Sequence, residues 1–371
     1  MNSIALVDLK KQGKNLEKEI KQALNATVQS ANFILGPEIE KFEKDFAQFC
    51  GAKYCISLSN GTDALELSLK ASGIKPKDEV ITVPHTFIAN AEAIIGMGAK
   101  PVFCDIDEQT FTIDADRLKN LVTKKTKAIM PVDLYGHPCD LEPVMELAAK
   151  HNLVVIEDAC QAHGAKYKGK KIGSIAHATA FSFYPGKTLG AFGDAGALTT
   201  NDVELTRNIK AIRNHGRLQD EKYKHELIGG NYRMDEMQAA ILNVKLKHME
   251  SWINARRKVA SKYRKLINAP DVKHPDEAGY ARHVYHLYVI RAKKREQLRE
   301  FLKSKGISTG VHYPIPLHLQ PALKFLGHKK GDFKVSEECA NTVLSLPMYP
   351  ELREDEIRFV SNAINKFFDK K

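Results

Sequence analysis

A chain of 371 residues, 43% hydrophobic and 27% charged, is long enough to bury a full-sized core and to add a smaller unit beside it. No apolar run reaches bilayer length, and the opening MNSIALVDLKKQ lacks a basic segment leading into an apolar core, so neither a membrane span nor an export signal is expected and the cytoplasm is the expected compartment. The formal charge of +11, from 56 basic against 45 acidic residues, is spread along the chain without a basic arm or a helix-turn-helix extension; it excludes an evident nucleic-acid binder and suits an anionic small substrate.

In chain order, Gly36-Pro37 opens a helix with Ile39, Phe42, Phe46 and Phe49 on one face, proline being well placed in a first turn. Short apolar runs follow: YCISL at 54–58, EVITV at 79–83, PVFCDI at 101–106, AIMPV at 128–132 and LVVIE at 153–157. Helix-like stretches between most of them have the length of crossovers in a largely parallel sheet, which predicts an α/β layer architecture. Residues 234–266 read as one long helical segment, and HVYHLYVIRA with the C-terminal helices reads as a second, smaller α+β unit. The spacing predicts a large domain over residues 1–250, N-terminal arm included, and a small one over 251–371. The six cysteines form no Cys-x-x-Cys pair and no cluster with histidine at metal-ligand spacing, so reduced structural thiols and no metal site are expected.

Four segments carry chemistry. In SLSNGTDALELSLKA a strand gives way to Asn60-Gly61-Thr62 at a helix start, where free amides make an anion site or Asn60, Thr62 or Asp63 simply caps the helix; both readings stand. In PHTFIANAEAI, Phe87 lies between a strand and a helix, where an aromatic is ordinarily core but can also cover a flat ring. In VVIEDACQAHGA, an apolar strand ends in Glu157 and Asp158, the place where open α/β sheets bind ligands, and Gln161 follows. In SFYPGKTLGAFGDAG, from Ser182 to Gly196, a strand runs through a Pro-Gly turn that presents Lys187 among small neighbours. Most lysines are solvated, but one in a turn open to a ligand can act as an amine nucleophile.

The order of these segments, with ILGPEIEKFEKDFA, GAKYCISLSNGTDAL, KDEVITVPHTFIANAEAI, LYGHPCDLEPV, GGNYRMDEMQAAIL and VHYPIPLHLQPA, resembles the sugar aminotransferase family labelled DegT/DnrJ/StrS over nearly the whole chain. The resemblance implies a fold-type-I pyridoxal phosphate (PLP) transferase, like aspartate aminotransferase, with a large mixed-sheet domain and a small C-terminal α+β domain. It implies that Lys187 carries the cofactor, Asp158 meets the pyridine nitrogen, Gln161 contacts the ring hydroxyl and Phe87 stacks on the ring. Gly61, Thr62 and Ser182 would hold the phosphate, joined by Asn231 of a second subunit, so that a homodimer shares its active sites. Tyr184, His312 and Tyr313 would lie beside the sugar and assist proton transfer, and Arg233 would approach the substrate from the partner chain. Gly186 departs from the serine that many relatives carry before the lysine. Retention of Lys187 argues against the branch that has histidine there and performs dehydration.

The expected reaction moves an amino group from glutamate to C3 of a nucleotide-linked 3-keto sugar, a deoxyhexose or an N-acetylated uronic acid, in amino-sugar or surface-polysaccharide biosynthesis. Amination at C4 of a 4-keto sugar is the alternative within this class. A PLP-binding regulator without turnover is the alternative outside it, and a desulfurating enzyme would need a mobile cysteine where Cys160 looks packed.

Overall fold

The computed structural model describes residues 3–218 and 223–369. The apolar runs become a seven-stranded sheet. Its strands are β1 (Tyr54–Leu58), β2 (Glu79–Thr82), β3 (Lys100–Phe103), β4 (Thr126–Ile129), β5 (Val154–Asp158), β6 (Ala178–Ser182) and β7 (Gly196–Thr200). They lie in the order β1-β7-β6-β5-β4-β2-β3. Strand β7 is antiparallel to both neighbours and every other pair is parallel, so the sheet is mixed. Helices cover both faces, as they must when parallel strands are apolar on both sides.

The helix Pro37–Cys50 shows how the layers lock. Its buried Phe42 and Phe46 set ring edges against Phe181 of β6 and Phe183 just beyond it, with centroids 5.0 to 5.3 Å apart. Glu236 caps its start from elsewhere in the chain: the carboxylate accepts the amides of Glu38 at 2.9 Å and Ile39 at 3.2 Å, and that of Gly36. A carboxylate suits the positive end of a helix dipole. Asp105 does the same for the helix Lys334–Thr342, accepting the Val335 and Ser336 amides at 3.0 Å. This explains why the run expected to extend to Ile106 is strand only as far as Phe103: its continuation leaves the sheet to cap a helix of the C-terminal half.

The segment expected as one helix over 234–266 is two, Glu236–Leu246 and Met249–Leu266. The His248 amide bonds the Lys245 carbonyl only three residues back, at 3.0 Å, a tighter turn that redirects the axis. The apolar spacing runs across the break, so periodicity does not reveal it.

A second sheet joins β8 (Val272–Lys273), β9 (Tyr288–Ala292) and β10 (Val343–Leu346), antiparallel throughout. Its core gathers Tyr263, Tyr288, Ile290, Leu298, Leu344 and Ile364, and also Ile4, which pairs with Ile307. The first residues of the chain therefore pack on its C-terminal half. No helix among the described residues is long and apolar enough to cross a membrane.

One ion pair ties two helices, Pro37–Cys50 and Val203–Arg213, to strand β1 of the large sheet. Arg213 donates to Glu43 at 2.6 Å, to the Ser57 carbonyl at 3.0 Å and to the Ser57 hydroxyl at 3.1 Å, while Glu43 also takes the Ser57 amide at 2.9 Å. Removing Arg213 leaves Glu43 with Lys210 Nζ at 3.8 Å and the Ser57 donors, so the loss is smaller than for a fully stranded buried charge, about 2 kcal/mol. Arg213→Ala is expected to lose about that much in a denaturant titration, whereas a surface change such as Arg207→Ala leaves the midpoint unaltered.

Candidate active site

The carboxyl ends of β1, β2, β5 and β6 open onto one cavity of about 860 Å³. Gly61, Thr62, Phe87, Asp158 and Gln161 line it, and so do Ser182, Tyr184, Lys187, His312 and Tyr313. Asn231 and Arg233 are not among the residues lining it. They hold each other instead, Arg233 donating to Asn231 at 2.9 Å and to Asn214 at 3.1 Å.

At one end, Asn60 caps the helix Gly61–Ala71: its side chain accepts the Asp63 amide at 2.8 Å and its carbonyl that of Ala64 at 3.2 Å. Capping does not exclude an anion site, because the cap engages the Asp63 amide and leaves those of Gly61 and Thr62 for a ligand. Gly61 is required here, since a Cβ would stand 2.7 Å from Ser182 Cβ and 3.0 Å from Cys160 Sγ.

At the other end Asp158, buried, accepts Asn90 Nδ2 on one oxygen and the Cys160 amide on the other, both at 3.0 Å. These donors orient the carboxylate and leave lone pairs facing the cavity. The Gln161 amide is oriented by its neighbours. The Tyr135 backbone N–H meets its side chain at 2.8 Å and needs an acceptor, so Oε1 lies there; Nε2 then donates to the Tyr313 hydroxyl at 3.3 Å and keeps a second hydrogen. Phe87, half exposed at the mouth, tilts 42° to the Tyr313 ring with centroids 5.8 Å apart.

Burial sets the charge state of the groups around Lys187. Desolvation and the lysine charge lower the His312 and His286 pKa values, so both imidazoles are neutral. Burial and the Asp158 carboxylate raise the Tyr313 phenol and the Cys160 thiol, which keep their protons. His312 Nδ1 lies 2.8 Å from the Ser345 hydroxyl.

Residues 14–365 match the DegT/DnrJ/EryC1/StrS aminotransferase family. The chain belongs to that family. Its relatives include the pleiotropic regulatory protein of Geobacillus stearothermophilus, 47% identical over 99% of each chain. The dTDP-3-amino-3,6-dideoxy-alpha-D-galactopyranose transaminase of Aneurinibacillus thermoaerophilus is 43% identical over 98% of this chain and 99% of its own. The UDP-2-acetamido-2-deoxy-3-oxo-D-glucuronate aminotransferase of Pseudomonas aeruginosa is 41% identical over 97% and 99%. Among solved structures, Streptomyces venezuelae DesV in complex with a ketimine intermediate has a TM-score of 0.98 at 40% identity, covering 100% of both chains. Bacillus subtilis NtdA with bound cofactor PMP has a TM-score of 0.90 at 30% identity, covering 99% of this chain and 86% of that one.

Like other DegT/DnrJ/EryC1/StrS members, the chain is a PLP aminotransferase of fold type I, and its donors fit the cofactor. One cavity is lined by the helix start at Gly61 and Thr62, whose amides suit a phosphate, by the oriented Asp158 carboxylate, and by the Gln161 amide, the Phe87 ring and one lysine. A Cβ on Gly186 meets nothing nearer than the Tyr184 ring at 3.8 Å, so the family's serine would also fit. Further contributors were not expected, among them Asn90, which orients Asp158, and Asp194, His286 and Leu6, which line the cavity. Asn90 and Asp194 lie inside motifs already quoted, but Leu6 arrives only because Ile4 pairs with Ile307.

Behind Asp158 the alternation of β5 sends Glu157 to the opposite face, fully buried, where Thr179 donates to it at 2.9 Å. Burial pushes Glu157 up to about 7 and raises Asp133 well above the carboxylate range, so the adjoining carboxyls retain a proton between them. Cys139 lies within the same 4.8 Å cluster. Its thiol is likewise raised by burial, and the cluster therefore holds protons rather than three free anions. A carboxyl whose folded pKa exceeds its ordinary 4.5 contributes stability below that value and loses it as pH rises through about 7. Glu157→Gln lacks this loss. Its melting temperature relative to the wild type should rise across that pH window and then level off in melts recorded in matched buffers.

Proposed function

We propose that this enzyme transfers an amino group from glutamate to C3 of a nucleotide-linked 3-keto sugar, with Lys187 as the residue that carries PLP. The observation that carries this reading is the meeting of Lys187, Asp158, Gln161 and the Gly61–Thr62 amides in one cavity, in a chain 43% and 41% identical to two enzymes named for 3-amino or 3-oxo nucleotide sugars.

Bound PLP supplies a carbonyl that takes up an amine and a ring that draws electron density from the adjoining carbon. Asp158 would keep the ring nitrogen protonated, Gln161 Nε2 would donate to the ring hydroxyl, Gly61, Thr62 and Ser182 would hold the phosphate, and Phe87 would cover the ring. Lys187 Nζ would be the base that moves the proton at the substrate carbon. Tyr184, His312 and Tyr313 orient the sugar; the neutral His312 accepts a hydrogen bond from it, and the protonated Tyr313 donates one.

Asn231 and Arg233 enter this reading from a second copy of the chain. The exposed Phe33, Ile34 and Phe192, which line one surface pocket, support a homodimer, because a bare apolar patch favours a covering partner. A uronate carboxylate would then meet Arg233, since among the described residues lining the cavity Lys187 is the sole lysine or arginine. The reading covers a deoxyhexose or an N-acetylated uronic acid carried on dTDP or UDP. A reducing compartment, the cytoplasm, suits the free cysteines. The regulatory name of the Geobacillus stearothermophilus relative favours a second reading as a PLP-binding regulator, but a cavity with its lysine, acid and anion site all present favours turnover.

Lys187→Ala should abolish the visible absorbance of covalently held cofactor and reduce amino transfer by at least about 10³-fold, as expected for losing a proton-transferring nucleophile. Undiminished transfer would remove the assignment. Incubation with glutamate and matched 3-keto and 4-keto nucleotide sugars should yield an amino sugar from the 3-keto isomer alone; product from the 4-keto isomer alone would move the reaction to C4.

A further inference from the structure

Tyr135 lies behind the cavity rather than in its wall, 2% exposed, yet each of its polar groups is committed to a residue of the site or its frame. Its amide donates to Gln161 Oε1 at 2.8 Å, and its carbonyl accepts from Leu287 N at 3.3 Å. Its hydroxyl donates to the His312 carbonyl. A carbonyl can only accept, so the phenol proton is spent there, and His85 Nε2, 3.0 Å from the phenol oxygen, must be the donor to it. Burial lowers His85 to about 4, leaving a neutral ring with one proton, on Nε2, which accounts for its unpartnered Nδ1.

The backbone makes this reach possible. Tyr135 and Gly136 both adopt left-handed conformations, φ 61° and 97°, and a Cβ on Gly136 would stand 3.0 Å from the Gln161 carbonyl and 3.1 Å from the His286 amide. The turn is therefore pressed between two segments that line the cavity. Asp133 anchors its start by accepting the Cys139 amide at 2.8 Å.

Because Gln161 Nε2 donates to the Tyr313 hydroxyl, these bonds close into a circuit: Gln161 to Tyr135, Tyr135 to His312, and Tyr313 back to Gln161. We propose that Tyr135 is a positioning residue whose hydroxyl sets His312 and Tyr313 at the sugar while its backbone amide holds Gln161 at the cofactor, so that one buried residue aligns the two sides of the transfer. This rests on the roles assigned above to Gln161, His312 and Tyr313.

Tyr135→Phe separates the two functions, since it keeps the amide donated to Gln161 and deletes only the hydroxyl. In the holoenzyme, cofactor absorbance and the glutamate half-reaction should stay within about twofold of wild type. The keto-sugar half-reaction should slow about tenfold, and backbone hydrogen exchange over residues 310–313, where the Gly310 amide bonds the Ser345 carbonyl at 3.1 Å, should quicken by a similar factor, the scale of one buried hydrogen bond, while exchange over 158–162 is unchanged. Equal slowing of both half-reactions, or no change in exchange over 310–313, overturns the proposal. If Tyr135→Phe does not fold, His85→Leu serves, because it deletes the donor to the phenol: a change confined to the sugar half-reaction and to 310–313 supports the circuit, and a general loss or no change overturns it. A wild-type protein that aminates no nucleotide-linked keto-sugar would refute the functional reading instead, while the contrast in exchange between the two segments would still decide the positioning role.

Discussion

The cavity depends on β5 and β6 ending side by side. They pair in parallel with Asp158 opposite Ala180, so the acid at the end of one strand and the turn that follows Ser182 on the other emerge at the same edge of the sheet. Parallel pairing with that register brings the Asp158 carboxylate and Lys187 to the lining of one space. The aromatic cluster of Phe42, Phe46, Phe181 and Phe183 makes the register costly to shift, because a slip of one residue would turn Phe181 out of the core.

Around that edge the protein uses buried polar groups as fasteners between distant segments. Glu236 and Asp105 each cap a helix far from themselves in sequence, and Arg213 joins Glu43 to Ser57. Each is satisfied by several partners, the condition under which a buried charge is tolerated. The Asp133–Glu157 pair solves the same problem differently, by retaining a proton. Its position on the face of β5 opposite Asp158 keeps the proton-retaining carboxyl of the Glu157-Asp158 dipeptide away from the cavity that its neighbour lines.

Much of this was legible in the residues. YCISL is strand over the full span expected, Pro37 begins its helix, and the Pro-Gly turn presents Lys187 to the cavity as its small neighbours suggested. These features are local: proline and glycine constrain the backbone where they stand, and strand alternation is written in every second residue. The break at His248 was not legible, because apolar spacing continues through a change of helix axis. The early end of β3 was not either, because Asp105 leaves the sheet for partners more than two hundred residues away.

The sequence by itself determined the element types, the α/β class and the residues able to do PLP chemistry, since these follow from local backbone preference and from the functional groups themselves. Only the tertiary structure decided which of those groups share a space. It turned Asp158 rather than Glu157 toward the cavity, oriented the Gln161 amide through Tyr135, brought Leu6 to the cavity wall and left Asn231 and Arg233 outside it. The physical reason is that direction and distance between side chains far apart in the chain are set by strand order, register and packing, none of which is carried by the residues one at a time.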